Sequence, residues 1–233
     1  MSAMTFLELV QQLHEDCEVS GAAPTTVVGQ DGEYKRLINL TWRAWWDIQE
    51  LHQNWKFRRL SASWASVDGQ ASYTPVQCGI TDGTFGKWHP DRLNVRGYLT
   101  ASGTPSEFFI SEILWDQYRA LWQYGTARDL KVQPSQYAID DFNTIFFGPK
   151  PPAGYTFTAD YYRAPIKLVA NGDLVDLPDQ HSPLVVMHKA MIGYGVHKGD
   201  PGLVSMGQME YKSLLNKLRK DQLPAIRLAG ALC

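Results

Sequence analysis

Helical periodicity occupies both ends of this chain and is missing from its middle, and few architectures satisfy that arrangement. From Thr5 to Cys17 the residues Phe6, Leu7, Val10, Leu13 and Cys17 recur at three- and four-residue steps, on one helical face. The stretch Gly21 to Thr26, with its Gly and Pro, ends that helix. A second helix is predicted from Asp31 to Gln53, with Tyr34, Leu37, Ile38, Trp45, Ile48 and Leu51 on one stripe, and Leu40, Trp42 and Ala44 widening it. So broad a stripe is packed on two sides, inside a bundle or against a neighbouring subunit. The helical pattern returns at Ser182, which supplies an N-cap before Pro183 at the first helical position, and Leu184, Val185, Met187, Met191, Ile192 and Tyr194 follow. A turn from His197 to Gly202 leads to a fourth long helix, Leu203 to Lys220, whose last turns hold Lys217, Arg219 and Lys220 against the negative end of the helix dipole.

Between these ends, aromatic and β-branched residues cluster between Gly, Asn, Asp and Pro. Strands are predicted at Trp55 to Trp64, Leu93 to Leu99, Phe108 to Ile113, Lys131 to Ile139, Thr144 to Phe147 and Tyr155 to Tyr162, with a short helix from Trp115 to Tyr124. The expected fold is α+β: a bundle of four long helices, residues 1–54 and 181–222, with an antiparallel β domain, residues 55–180, inserted between the second and third. Neither two-helix half buries enough surface to be stable alone, so the two ends must fold against each other. The remaining segment, Leu223 to Cys233, is apolar, uncapped and outside any period, and is expected to order against a partner.

With 233 residues, 44% of them hydrophobic, the chain is long and apolar enough for a real core. Lys plus Arg at 22 against Asp plus Glu at 24 leaves a formal net charge of −2, so there is no overall basic field for nucleic acid. Cys17, Cys78 and Cys233 are odd in number and widely spaced, which suits reduced thiols in a cytosol. The N-terminal sequence has no secretory pattern, and no apolar run approaches membrane-spanning length, so no membrane partner is expected. Eight Trp and eleven Tyr exceed what a plain scaffold requires and point weakly to protein interfaces.

The residues that carry chemistry elsewhere are scattered here. His14, Glu15, Asp16, Cys17 and Glu18 form one cluster, with His14 and Glu18 on one helix face, but no second cluster supplies converging metal ligands. His52, His89, His181, His188 and His197 stand singly, and Cys78 has no neighbour that would lower its pKa. Asp140 with Asp141, and Asp173 with Asp176, read as turn residues bonded to nearby backbone. Neither glycine-rich stretch, Gly79 to Gly86 or Gly193 to Gly202, has the order of a phosphate loop. No cofactor, metal or catalytic residue is expected. The tightest basic run is Lys56, Arg58 and Arg59, either a solvated face or a surface against passing DNA or acidic neighbours.

Three stretches in chain order carry a resemblance. MTFLELVQQLHEDCEVSG with VVGQDGEYKRLINLTWRAWWDIQELHQNWKFRR resembles the opening helices of tailed-phage head-to-tail adaptor (connector) proteins. FFGPKPPAGYTFTADYYRAPIKL is similar to their strand pair, and LPDQHSPLVVMHKAMIGYGVHKGDPGLVSMGQMEYKSLLNKLRKD to their closing helix pair. The stretch from Thr74 to Thr104 matches no pattern of the family. The resemblance implies a structural virion protein of the head–tail neck, made in the bacterial host's cytoplasm. It implies a ring, usually of twelve copies, beneath the portal, meeting a tail, nozzle or tail-completion protein on its other face. DNA would pass through the lumen without sequence-specific binding. On that reading Leu223, Pro224, Ala225, Ile226, Leu228 and Leu232 dock on the portal. Trp42, Trp45 and Trp46 are candidate subunit contacts, and Lys56, Arg58 and Arg59 a candidate lumen or interface run. The alternatives are a tail or baseplate protein whose β domain binds glycans through exposed tryptophans such as Trp88, and a metal-dependent hydrolase using Asp140 and Asp141.

Overall fold

The computed structural model describes residues 4–178 and 180–223. The fold is α+β, with five α-helices and two sheets among the described residues. In chain order the elements are α1 (Phe6–Asp16), α2 (Gly32–Glu50), β1 (Arg59–Ala65), β2 (Ser72–Tyr73), β3 (Phe85–Trp88), β4 (Arg96–Leu99), β5 (Phe108–Phe109) and β6 (Ser111–Glu112). They continue with α3 (Trp115–Trp122), β7 (Gln136–Ile139), β8 (Ile145–Gly148), β9 (Tyr155–Arg163), α4 (Leu184–Lys198) and α5 (Pro201–Gln222). The chain divides into two compact units, Met1–Phe57 with Pro165–Cys233, and Arg58–Ala164.

In the helical unit, the ends of the helices are built as their sequences require. Thr5 and Glu8 form a capping box on α1, and the bonds from Thr5 hold the Glu8 carboxyl below its usual range. Ser182 Oγ accepts from the Leu184 N–H at 3.3 Å, at the start of α4. Gly199 closes α4 at φ 71°, a left-handed conformation that favours glycine, and Asp200 caps α5 through the N–H groups of Gly202 and Leu203. Helix α4 packs against α1, α2 and α5, and α1 also packs on α2. The α4–α5 contact depends on glycine. A Cβ on Gly195 would lie 2.9 Å from Val204 Cγ2, and one on Gly207 would lie 3.0 Å from Ile192 Cγ1. The core gathers Leu9, Leu13, Leu37, Trp45, Ile48 and Trp55 from the N-terminal part, and Val186, Met191, Tyr194 and Leu218 from the C-terminal part. Tyr194 donates to Glu33 Oε1 at 2.6 Å, and Lys198 sits 2.9 Å from the same oxygen, tying the end of α4 to the start of α2.

The segment 165–180 belongs to this unit, whereas the sequence reading places it in the β domain and draws the boundaries at 54/55 and 180/181. It carries no helix or strand to reveal its allegiance, but its bonds do. Gln49 clasps Ile166 through both its N–H and its carbonyl, at 2.9 Å each. The Phe6 N–H donates to Asp173 O at 2.7 Å, and Leu168 and Val175 are buried in the helical core. At the other boundary α2 stops at Glu50. The chain then folds back so that Trp55 Nε1–H donates to Ile48 O at 2.9 Å, and the strand expected from Trp55 starts only at Arg59.

In the β unit, one sheet runs β1-β9-β4-β5, with β3 also paired to β9, and the other runs β2-β8-β7-β6. The expected antiparallel domain needs one correction, since β6 pairs with β7 in parallel. Strands β2 and β3 went unread in the sequence because both are short and β3 is bulged. Its register on β9 shifts between Phe85 and Lys87, where a Cβ on Gly86 would lie 2.7 Å from the Tyr162 carbonyl oxygen. The core of this unit is aromatic, with Trp64, Tyr73, Trp88, Tyr137, Phe147, Phe157 and Tyr161 buried together. Phe147 and Phe157 stack with centroids 4.3 Å apart. No helix among the described residues is long and apolar enough to cross a membrane.

Candidate functional site

Of the C-terminal segment singled out in the sequence, Leu223 alone lies within the described residues; Pro224, Ala225, Ile226, Leu228 and Leu232 lie outside them. Leu223 is half-buried against the helical core, and its N–H donates to Arg219 O at 3.1 Å. The chain reaches it through Asp221. The Asp221 carboxylate accepts from Gln180 Nε2 at 2.7 Å, from His181 Nε2 at 3.0 Å and from Gln222 Nε2 at the same oxygen. Those bonds, that of His181 first, hold its carboxyl down to about 2. Its backbone carbonyl accepts from Lys56 Nζ at 2.6 Å.

The basic run is thereby taken apart, and the reading of Lys56, Arg58 and Arg59 as one lumen surface is corrected. Lys56 is committed to the end of α5 in the helical unit. Arg58, 6% exposed in the β unit, donates through Nε to Arg163 O at 3.0 Å. Arg59 pairs with Asp160, its Nε 2.9 Å from Oδ2. A strand would have put Lys56 and Arg58 on one face, but residues 56–58 form a 3-10 turn.

Among the tryptophans of α2, Trp45 is 1% exposed and stacked on Phe57 at 5.9 Å, so its assignment to a subunit contact is also corrected; it is core. Trp42 is half-buried, with Nε1–H donating to Asn39 Oδ1 at 3.0 Å and Lys167 Nζ 4.3 Å from its ring centroid. Trp46 is half-buried. Trp88, offered as an exposed glycan platform, is 5% exposed, and its Nε1–H donates to Asn143 O at 2.8 Å.

The reactive residue types are occupied structurally. Asp140 Oδ1 accepts from the N–H groups of Phe142 and Thr144 at 2.9 and 2.8 Å, which is turn chemistry and not a metal or acid–base pair. Asp173 Oδ2 does the same for Val169 and Ala170. Cys17 and Cys78 are buried, and burial pushes both thiols up to about 12, far from the thiolate that chemistry needs. His14 is buried beside Tyr34, while Glu18 lies past the end of α1 at φ 48°, so the two do not share a helix face. Among the described residues no three His, Cys, Asp or Glu side chains converge as metal ligands.

Asp221 was missed in the sequence. Its one local signal was an acid in the final turn of a helix whose end is otherwise basic, where the dipole disfavours a carboxylate.

Two compact units, carboxylates committed to turns, inert thiols and a chain end pinned at a helix terminus describe a protein that works through its contacts. The family model described as SU10 adaptor protein matches residues 4–229. The chain belongs to that family, which places it among phage head-to-tail adaptors, structural proteins and not enzymes. No curated protein matches the chain.

Proposed function

We propose that this chain is one subunit of a closed ring, of twelve copies, that sits beneath the portal in the virion neck and joins the capsid to the tail. The observation that carries this reading is the family match over residues 4–229. In the ring, the four long helices act as one bundle. Residues 223–233 dock on the portal, and the opposite face meets a tail, nozzle or tail-completion protein. DNA passes through the lumen without base-specific contacts, in keeping with a net charge of −2 and a basic run engaged within the chain. The protein is made in the host cytoplasm and acts without a cofactor.

A ring interface is heterologous, so one face of each subunit must fit a different face of the next. Both units offer apolar side chains for such contacts: Val196 and Met209 at 68% and 65% exposure in the helical unit, Leu114 and Phe142 at 71% and 83% in the β unit. Trp42 and Trp46, half-buried on α2, are the tryptophans retained as subunit contacts.

Light scattering on the purified chain, alone and then mixed with the portal of the same phage, tests the proposal. The expected result is a monomer that joins a ring only when portal is present. A small stable oligomer indifferent to portal would overturn it.

A further inference from the structure

The final turn of α5 holds a group that helix electrostatics disfavours. Exposed carbonyls make that end partially negative, so cations stabilise it and a carboxylate does not. Asp221 stands there beside Gln222, one residue before the helix closes. Its position is made tolerable by four groups from separate parts of the chain: Gln180 and His181 from the loop before α4, Gln222 beside it, and Lys56 on its backbone carbonyl. A carboxylate only accepts hydrogen bonds, so His181 Nε2 at 3.0 Å is a donor here.

These bonds hold little of the core. The Asp221 side chain is 44% exposed, and removing it takes no apolar side chain out of the helical interior. What they fix is the backbone where it leaves the unit. Lys56 and the 180–181 loop grip the helix end from two sequence-distant stretches, and Leu223 follows, half-buried.

We propose that Asp221 is a positioning residue that clamps the end of α5 to Lys56 and to the 180–181 loop, so that residues 224–233 depart from one point in one direction toward a protein partner. A segment launched from a fixed point loses less conformational freedom when it docks than one launched from a frayed helix end, and its affinity rises accordingly. The inference rests on reading that segment as the docking element, and its test separates the two.

Four variants of the full chain are compared for binding to the portal of the same phage and for amide hydrogen exchange. They are Asp221→Ala, Asp221→Asn, Tyr194→Phe and a chain ending at Leu223. Asp221→Ala is expected to weaken portal binding about tenfold, the scale of one or two lost hydrogen bonds to a charged group, with unchanged helical content. Its loss of exchange protection is confined to the end of α5 and the 180–181 loop. Asp221→Asn keeps an acceptor oxygen and recovers most of the affinity. Tyr194→Phe removes a bond of similar strength elsewhere in the same unit, and binds as the parent does. Parental binding by Asp221→Ala, while the chain ending at Leu223 fails to bind, would overturn the positioning role and leave the docking reading intact. Parental binding by the shortened chain would overturn both. Equal weakening by Tyr194→Phe and Asp221→Ala would reduce Asp221 to a general stabiliser and also overturn the proposal.

Discussion

In the helical unit the largest buried side chains, among them Trp45, Trp55, Leu37 and Met191, come from stretches on both sides of an insert of more than a hundred residues. In the β unit Tyr73, Tyr137, Phe147 and Phe157 come from one unbroken stretch, Arg58–Ala164. The first core is mixed aliphatic and aromatic and closes through glycine contacts between α4 and α5; the second is a cluster of stacked and tilted rings. The difference concerns cooperativity. The helical unit cannot form until the whole chain has been made, whereas the β unit has its core within itself.

That contrast is broken most decisively by cutting the chain. Residues 58–164 expressed alone should give a cooperative thermal transition by circular dichroism, while residues 1–57 or 165–233 alone should give none. A folded half-unit would refute the dependence of each end on the other. Next in size, Trp45→Ala should cost the helical unit about 3–5 kcal/mol, and Phe157→Ala should cost the β unit a similar amount. Hydrogen exchange should show each loss confined to its own unit, and a shared loss would mean that the two unfold as one. Gly195→Val forces a branched side chain against Val204, whose Cγ2 and backbone N lie 2.9 and 3.0 Å from the Cβ position, and should cost the helical unit about 1–3 kcal/mol in denaturant titration. Gln49→Ala leaves the N–H and carbonyl of Ile166 unpaired, and a loss of about 1–3 kcal/mol is expected, with exchange rising in the 165–180 segment.

The smallest effect is pH dependence. Burial lowers the pKa of His188 on α4, against the opposing pull of Glu210 and Asp16. The unfolded chain therefore takes up the proton first as pH falls below about 6.5. The contribution of neutral His188 is complete above that value and is lost as pH falls toward the folded pKa. His188→Gln should flatten the acid limb of the helical unit's stability curve and leave that of the β unit unchanged.

The long helices were legible because α1, α2, α4 and α5 each bury a periodic stripe and carry local caps at Thr5, Ser182, Gly199 and Asp200. Signals of that kind lie within a few residues of what they specify. The allegiance of 165–180 was not legible, because Gln49 reaches Ile166 across 117 residues with no periodic pattern to announce it. The basic run failed for the same reason. Lys56, Arg58 and Arg59 read as a patch only while their partners, Asp221, Arg163 and Asp160, more than a hundred residues away, are out of view. Trp45 and Trp42 both fall on a stripe too broad to separate core from contact surface, and packing alone distinguishes them. Residue types decided the question of chemistry better. Asp140 and Asp173 proved to be turn acceptors, the role that their neighbours Asn143 and Gly172 suggest.

The central claim, that this chain is a neck component assembled beneath the portal, is tested most directly by electron cryo-microscopy of the intact virion at the head–tail junction. The account predicts a ring of density next to the portal into which the helical and β units fit in repeated copies, with continuous density running from the end of α5 onto the portal. Placement of these units at the distal tail or baseplate, or their absence from the particle, would contradict it.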